Sequence, residues 1–244
     1  MITRPARQAA GLALEVAALG ATPIVFPAIV ILPPADRAAL LRAHAQLDRY
    51  DIAIFVSANA VEYGTPDPKR WPARLLTFAP GAGTAAALAA TGIHDVIIPN
   101  TTFDSEGLLA LAELNDVAGK RVAIFRGSGG RELLRQTLEQ RGALVEHIEC
   151  YRRAVPRTGA DGLLEAVRQR RAHALTLTSN EGLANLWSLL DEEGRMLLLR
   201  LPAFVPHARV AAHARTLGFV VVDCGDGDAA LIAALLEWFA RHRH

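Results

Sequence analysis

Apolar positions along this chain follow two rhythms that take turns. Short runs of β-branched and apolar residues recur at 23–32, 52–56, 75–78, 95–98, 121–125, 145–149, 174–177, 203–205 and 219–222. Between them lie stretches such as 9–19 and 133–141, where apolar residues return every three or four positions. The first rhythm predicts strands buried on both faces; the second predicts helices with one buried stripe. Gly20, Gly92, Gly142 and Gly218 each stand between a helical stretch and the next strand, where a left-handed residue closes a helix. Strand and helix alternating through short connections predict an α/β fold, with parallel sheets covered by helices on both sides.

Two stretches break the alternation. Residues 26–34 and 150–156 each follow a strand, end in proline and read as extended linkers. Two passes of this kind predict that the chain leaves one lobe and later returns to it. The lobes would then be residues 1–32 with 155–244, and residues 36–151. Sequential lobes divided near residue 120 satisfy the alternation as well.

The chain also half-repeats at an offset of 122 residues. Ile2-Thr3-Arg4-Pro5 falls on Ile124-Phe125-Arg126-Gly127, Gly20-Ala21 on Gly142-Ala143, and Val56-Ser57-Ala58-Asn59 on Thr178-Ser179-Asn180-Glu181. After an insertion, Phe78-Ala79-Pro80 falls on Phe204-Val205-Pro206 and Gly92 on Gly218, now at an offset of 126. Matches in one order and at nearly one offset indicate duplication. Two similar lobes leave a cleft between them, a common place for a ligand.

Composition narrows the picture. With 244 residues, 51% of them hydrophobic and 21% charged, the chain can bury one large or two modest cores. A net charge of +1 excludes a global polyanion-binding surface, and with it a nucleic-acid partner, but permits a local basic cleft. No apolar run approaches the roughly 18 residues of a membrane span, and the N-terminus lacks a secretory pattern. Cys150 and Cys224 have no metal-ligand spacing, so a reducing cytoplasm and no disulfide framework are expected.

The predicted strand ends concentrate hydrogen-bond donors. Thr3-Arg4, Ser57-Ala58-Asn59, Gly81-Ala82-Gly83-Thr84, Arg126-Gly127-Ser128-Gly129-Gly130-Arg131, Thr178-Ser179-Asn180 and His207-Ala208-Arg209 all precede helices. In open α/β sheets ligands bind beyond the carboxyl ends of strands, where helix N-termini offer free N–H groups. Taken singly, each Ser, Thr or Asn reads more simply as a helix cap; six such loops together point to an extended anionic ligand, with arginine as a carboxylate partner. The glycines at 127–130 lack dinucleotide-fingerprint spacing, and no phosphate loop, nucleophile elbow or metal cluster occurs, so neither cofactor nor metal is expected. Arg241, His242, Arg243 and His244 read as a solvated tail.

At these residues the chain resembles the uroporphyrinogen-III synthase family over nearly its whole length. The resemblance rests on Thr3-Arg4-Pro5, Phe55-Val56-Ser57-Ala58-Asn59-Ala60-Val61, Gly81 to Leu88, Ser105-Glu106-Gly107-Leu108-Leu109, Phe125 to Arg131 and Tyr151-Arg152-Arg153. It implies two flavodoxin-like lobes joined by a two-stranded linker, the N-terminal piece packing with the C-terminal lobe. It also implies a cofactor-free reaction on hydroxymethylbilane, a linear tetrapyrrole with eight carboxylate arms. The terminal hydroxyl leaves as water, and the ring closes with inversion of the last pyrrole to give uroporphyrinogen III, on the route to haem. Arg4, Arg126 and Arg131, with backbone N–H groups, would hold the carboxylates. Tyr151 matches the family's tyrosine at the return linker and is the candidate acid for the leaving oxygen; Thr84 matches a threonine placed to bond the substrate. Three departures stand out. Pro206-His207-Ala208-Arg209-Val210 replaces the family's Thr-Ala pair, exchanging hydroxyl donors for charged ones; Pro80 replaces a small or branched residue; almost nothing precedes Thr3. A monomer is expected, because no surplus amphipathic helix asks for a partner. A two-lobed binding module for an anion, and another α/β enzyme such as a transferase of phosphorylated molecules, remain as other classes.

Overall fold

Apolar residues make up most of the central strands of the sheets. A computed structural model describes residues 1–242. In chain order the elements are α1 (Ala6–Ala18), β1 (Val30–Leu32), α2 (Arg37–Ala45), β2 (Ile52–Phe55), α3 (Ala58–Gly64), β3 (Leu76–Phe78), α4 (Ala82–Ala90), β4 (Val96–Ile97), α5 (Ser105–Leu109), β5 (Arg121–Gly127) and α6 (Leu133–Gln140). There follow β6 (Leu144–Ala154), α7 (Asp161–Arg168), β7 (Leu175–Thr176), α8 (Asn180–Ser188), α9 (Glu192–Leu198), β8 (Ala203–Val205), α10 (Ala208–Thr216), β9 (Val221–Asp223) and α11 (Asp228–Arg241). The chain divides into two compact units: Met1–Val30 with the chain from Ala154 onward, and Ile31–Arg153.

The unit of Ile31–Arg153 holds a sheet of order β1-β6-β5-β2-β3-β4, with β6, β5, β2, β3 and β4 pairing in parallel. All four β2 residues are buried because the strand lies between β5 and β3 and is covered on both faces. Alternation then feeds two cores. Ala53, Phe55, Ala123 and Phe125 enter one, where Phe55 stacks on Phe125 at 4.4 Å; Ile52, Ile54, Val122 and Ile124 enter the other.

The other unit is built to the same plan. Its parallel sheet β7-β8-β9 is extended by Ile2, which bridges Thr176 on one side and Val25 on the other. Ile124 pairs with Ile54 and His147 in the same sense, and all three partners stand 122 positions from their counterparts. Helices α4 and α10 coincide residue for residue at an offset of 126. Gly20 and Gly142 have φ of 82° and 85°; Gly92 and Gly218 have 94° and 97°. The sequence repeat is therefore a repeat of register, helix boundary and backbone conformation.

One expectation needs correction. Of the strand expected over 23–32, only the bridge at Val25 and the three residues of β1 form. Residues 150–154, read as an extended stretch, are extended as the end of β6, where Gly127 pairs with Tyr151 past a register shift at Arg126/Gly127. Of the expected solvated tail, Arg241 ends α11 and pairs with Glu237, and the His242 ring stacks on Trp238 at 4.0 Å; both residues are exposed. Residues 243 and 244 lie outside the described residues.

Candidate functional site

Chain direction locates a crevice in the unit of Ile31–Arg153. From β2 the chain winds outward through β3 to β4; from β5 it winds the opposite way to β6. β5 and β2 are neighbours, so the connections leaving their carboxyl ends diverge, and such a switch point is where open α/β sheets bind ligands. A cavity of about 320 Å³ opens there, lined by Val56 after β2, by Arg126, Gly127, Gly129, Gly130 and Arg131 around the end of β5, and by His147, Tyr151 and Arg153 on β6.

Each side chain is placed by local chemistry. Ser57 caps α3, its Oγ accepting from the Ala60 N–H at 3.2 Å, and lies 3.3 Å from the Tyr151 hydroxyl. Arg153 Nη2 donates to that hydroxyl at 3.4 Å, and its guanidinium stands 5.7 Å over the Tyr151 ring. Tyr151 itself is only 1% exposed: its ring belongs to the core, and a Cβ at Gly127 would come within 2.6 Å of its Cζ. Tyr151 thus belongs both to the core and to the cavity lining.

Arg126 is buried, and both its Nη nitrogens are engaged. Its Nη1 donates to Glu132 Oε1 at 3.0 Å and to the Arg131 carbonyl at 3.3 Å, and its Nη2 donates to the Gly129 carbonyl. The His147 ring nitrogens lie 3.3 and 3.4 Å from Nη1. Burial, and after it the Arg126 charge, lower the His147 pKa. Ser128 is exposed at the turn, and its N–H donates to the Tyr151 carbonyl at 2.8 Å.

Arg4, Arg126 and Arg131, expected to hold substrate carboxylates, each have an acidic partner in the structure. Arg4 pairs with Asp228 at 2.5 Å, Arg126 with Glu132, and Arg131 with Glu106 at 2.8 Å. The reason is shared: Asp228 and Glu106 lie in first helical turns and Glu132 is an N-cap, where helix dipoles favour acids. The exposed Arg131–Glu106 pair is weakly held and can exchange.

Other expected residues sit at the same edge of the sheet without lining the cavity. Ala58 and Asn59 open α3, and Gly83 and Thr84 open α4; Gly83 is exposed, whereas Thr84 is 8% exposed. In the other unit Thr3 and Ser179 stand at the matching switch point between Ile2 and β7. Thr3 Oγ1 donates to the Thr176 carbonyl at 2.6 Å, and Ser179 caps α8. Asn180 Oδ1 lies 3.2 Å from His213 Nδ1, His207 lies 3.0 Å from Asp226, and Arg209 is exposed in the first turn of α10.

Ser105, His147 and Arg153 line the cavity but were not singled out from the sequence. Ser105 and Arg153 lie inside the motifs quoted for the resemblance, a signal that was available; His147 sits mid-strand and carries none. Cys150 is buried, donates to the Ile148 carbonyl, and has its thiol pushed up to about 12, which suits packing and not nucleophilic attack. Among the described residues no His, Cys, Asp and Glu cluster could hold a metal ion, and no helix is long and apolar enough to cross a membrane.

Parallel sheets whose switch points carry hydrogen-bond donors define the class, an α/β protein. Comparison narrows the class. Residues 11–224 match the model of uroporphyrinogen-III synthase HemD. The chain is 38% identical to the uroporphyrinogen-III synthase of Salmonella typhimurium and 36% identical to that of Escherichia coli, each over 96% of this chain and 98% of the relative. Its fold matches a mutant uroporphyrinogen III synthase from Thermus thermophilus at a TM-score of 0.58 and 20% identity, over 99% of this chain and 100% of that one. It also matches the enzyme from Helicobacter pylori at 0.60 and 13%, over 88% and 92%. The chain belongs to the uroporphyrinogen-III synthase family.

Proposed function

We propose that this chain is itself a uroporphyrinogen-III synthase, a hydro-lyase that cyclises hydroxymethylbilane with loss of water and inversion of the last pyrrole ring. Family membership supports the reaction. The observation that carries the site is the switch-point crevice, lined by Tyr151 and the glycine-rich turn, with Ser57 3.3 Å from the Tyr151 hydroxyl. In this reading Tyr151 hydrogen-bonds the terminal hydroxyl and protonates it as it leaves as water, while the neighbouring pyrrole nitrogen supplies the electron pair that breaks the C–O bond. The cation so formed is attacked by the far pyrrole, and a proton is lost; no electrons are gained or lost, so the chemistry calls for no redox cofactor. The remaining task is to hold a flexible chain in one folded geometry, which is catalysis by positioning.

The same reading divides the chain into two lobes, 1–32 with 155–244 and 36–151, joined by a two-stranded linker. The neighbouring strands β1 and β6, where the chain passes between its two units, support it. Incubation with freshly generated hydroxymethylbilane tests the function: spontaneous closure gives isomer I, so a chromatogram dominated by isomer III is expected. Isomer I alone would overturn the reading.

A further inference from the structure

We infer that Arg153 is a positioning residue that works through Tyr151: with Ser57 it turns the phenol proton toward the cavity, and it offsets the charge that grows on the phenol oxygen as that proton leaves. The inference rests on the proposed function for the reaction, and on the geometry around the hydroxyl for the rest.

Residues two apart on a strand project from the same face, so Tyr151 and Arg153 stand side by side on β6. Both line the cavity of about 320 Å³. Arg153 Nη2 lies 3.4 Å from the Tyr151 hydroxyl, and an arginine can only donate there. Ser57 Oγ lies 3.3 Å from the same oxygen and already accepts from the Ala60 N–H, which leaves its own proton for Tyr151. A phenol oxygen has one proton to give and accepts at its lone pairs. With Arg153 and Ser57 both donating, the lone pairs are filled, and the phenol proton is left for an acceptor in the cavity. The ring cannot turn aside, because it is buried and packs on Gly127, where an added Cβ would meet Cε2 at 2.7 Å.

The second part is electrostatic. The Arg153 guanidinium carbon stands 5.7 Å from the centre of the Tyr151 ring, within reach of cation–π attraction. A neutral phenol draws the cation weakly. As the proton passes to the leaving hydroxyl, which departs as water, the phenol becomes a phenolate and the attraction grows. The proton released when the ring closes restores the phenol, so no further reactant is needed. An interaction that strengthens only along the reaction lowers the barrier and leaves the affinity for substrate almost unchanged. An arginine that grips a substrate carboxylate would act on affinity first.

The test uses the full chain, freshly generated hydroxymethylbilane and quantified isomer III. Arg153 is exposed, so Arg153→Met should keep the urea midpoint. Its kcat is expected to fall about tenfold with KM within about twofold. Arg153→Lys, which keeps a cation and a donor at this place, should recover most of that loss. In a Tyr151→Phe background, Arg153→Met should change kcat by less than about twofold, because the group it acts through is gone. Wild-type kcat in Arg153→Met would overturn the inference, and so would a loss confined to KM, as from a direct carboxylate ligand. The same loss in the Tyr151→Phe background would overturn it as well. Should Tyr151→Phe make too little isomer III to measure, a lysine variant no better than the methionine variant would overturn it, and recovery would support it. Isomer I alone from the wild type would overturn the functional reading itself, and this inference with it.

Discussion

Tyr151 meets two demands at once: its ring fills core space against Gly127, and its hydroxyl reaches Ser57 and Arg153. The two roles separate by substitution. Tyr151→Phe keeps the ring and removes the proton donor, so turnover to isomer III should fall at least several-fold with the unfolding midpoint nearly unchanged; unchanged turnover would remove Tyr151 from the mechanism. Gly127→Ala drives a methyl into the ring and should cost about 1–3 kcal/mol in urea unfolding. A titration belongs at this scale too. His44 bonds the Gly64 carbonyl through Nε2 at 2.7 Å, so its neutral ring carries the proton there, and burial lowers its pKa from 6.5, as burial also does for His147. Both groups are neutral in folded and unfolded chains well above pH 6.5, where their contribution is fully present. As pH falls through 6.5 the unfolded chain takes protons that the folded state resists, and stability is lost. The urea midpoint should drop between about pH 7.5 and about pH 5.5, and His44→Gln should shrink that drop. An identical drop in the variant would assign it to other groups.

At the scale of elements, the repeat makes matched comparisons possible. Gly20 and Gly142 end equivalent helices with nearly the same φ, yet their surroundings differ. A Cβ at Gly20 meets nothing within 4 Å, whereas one at Gly142 would stand 3.2 Å from the Ala118 backbone. Gly20→Ala should therefore cost only the left-handed conformation, about 1–2 kcal/mol, and Gly142→Ala measurably more; equal costs in urea unfolding would contradict this. The conformation was legible in the sequence, from glycine placed between helix and strand. The difference in cost was not, because Ala118 becomes a neighbour only through the fold.

For the whole molecule, separate cores predict separate cooperativity. Leu183 is fully buried in the core beside β7 and β8, with no part in the cores flanking β2 and β5. Leu183→Ala should cost about 2–5 kcal/mol. Native-state hydrogen exchange should show that loss at β7 and β8 while amides of β2 and β5 keep their protection. Equal loss throughout would mean that the chain unfolds as one unit.

Patterning alone determined the α/β class, the helix-ending glycines, the repeat and the loops that carry donors, because these follow from local periodicity and steric preference. Tertiary structure alone decided which donors are still available. Arg4, Arg126 and Arg131 look alike in sequence, but each lies beside an acid 224, 6 or 25 positions away, and only folding makes those pairs. It also decided that residues 150–154 belong to β6, since a strand exists only when a neighbour supplies its hydrogen bonds.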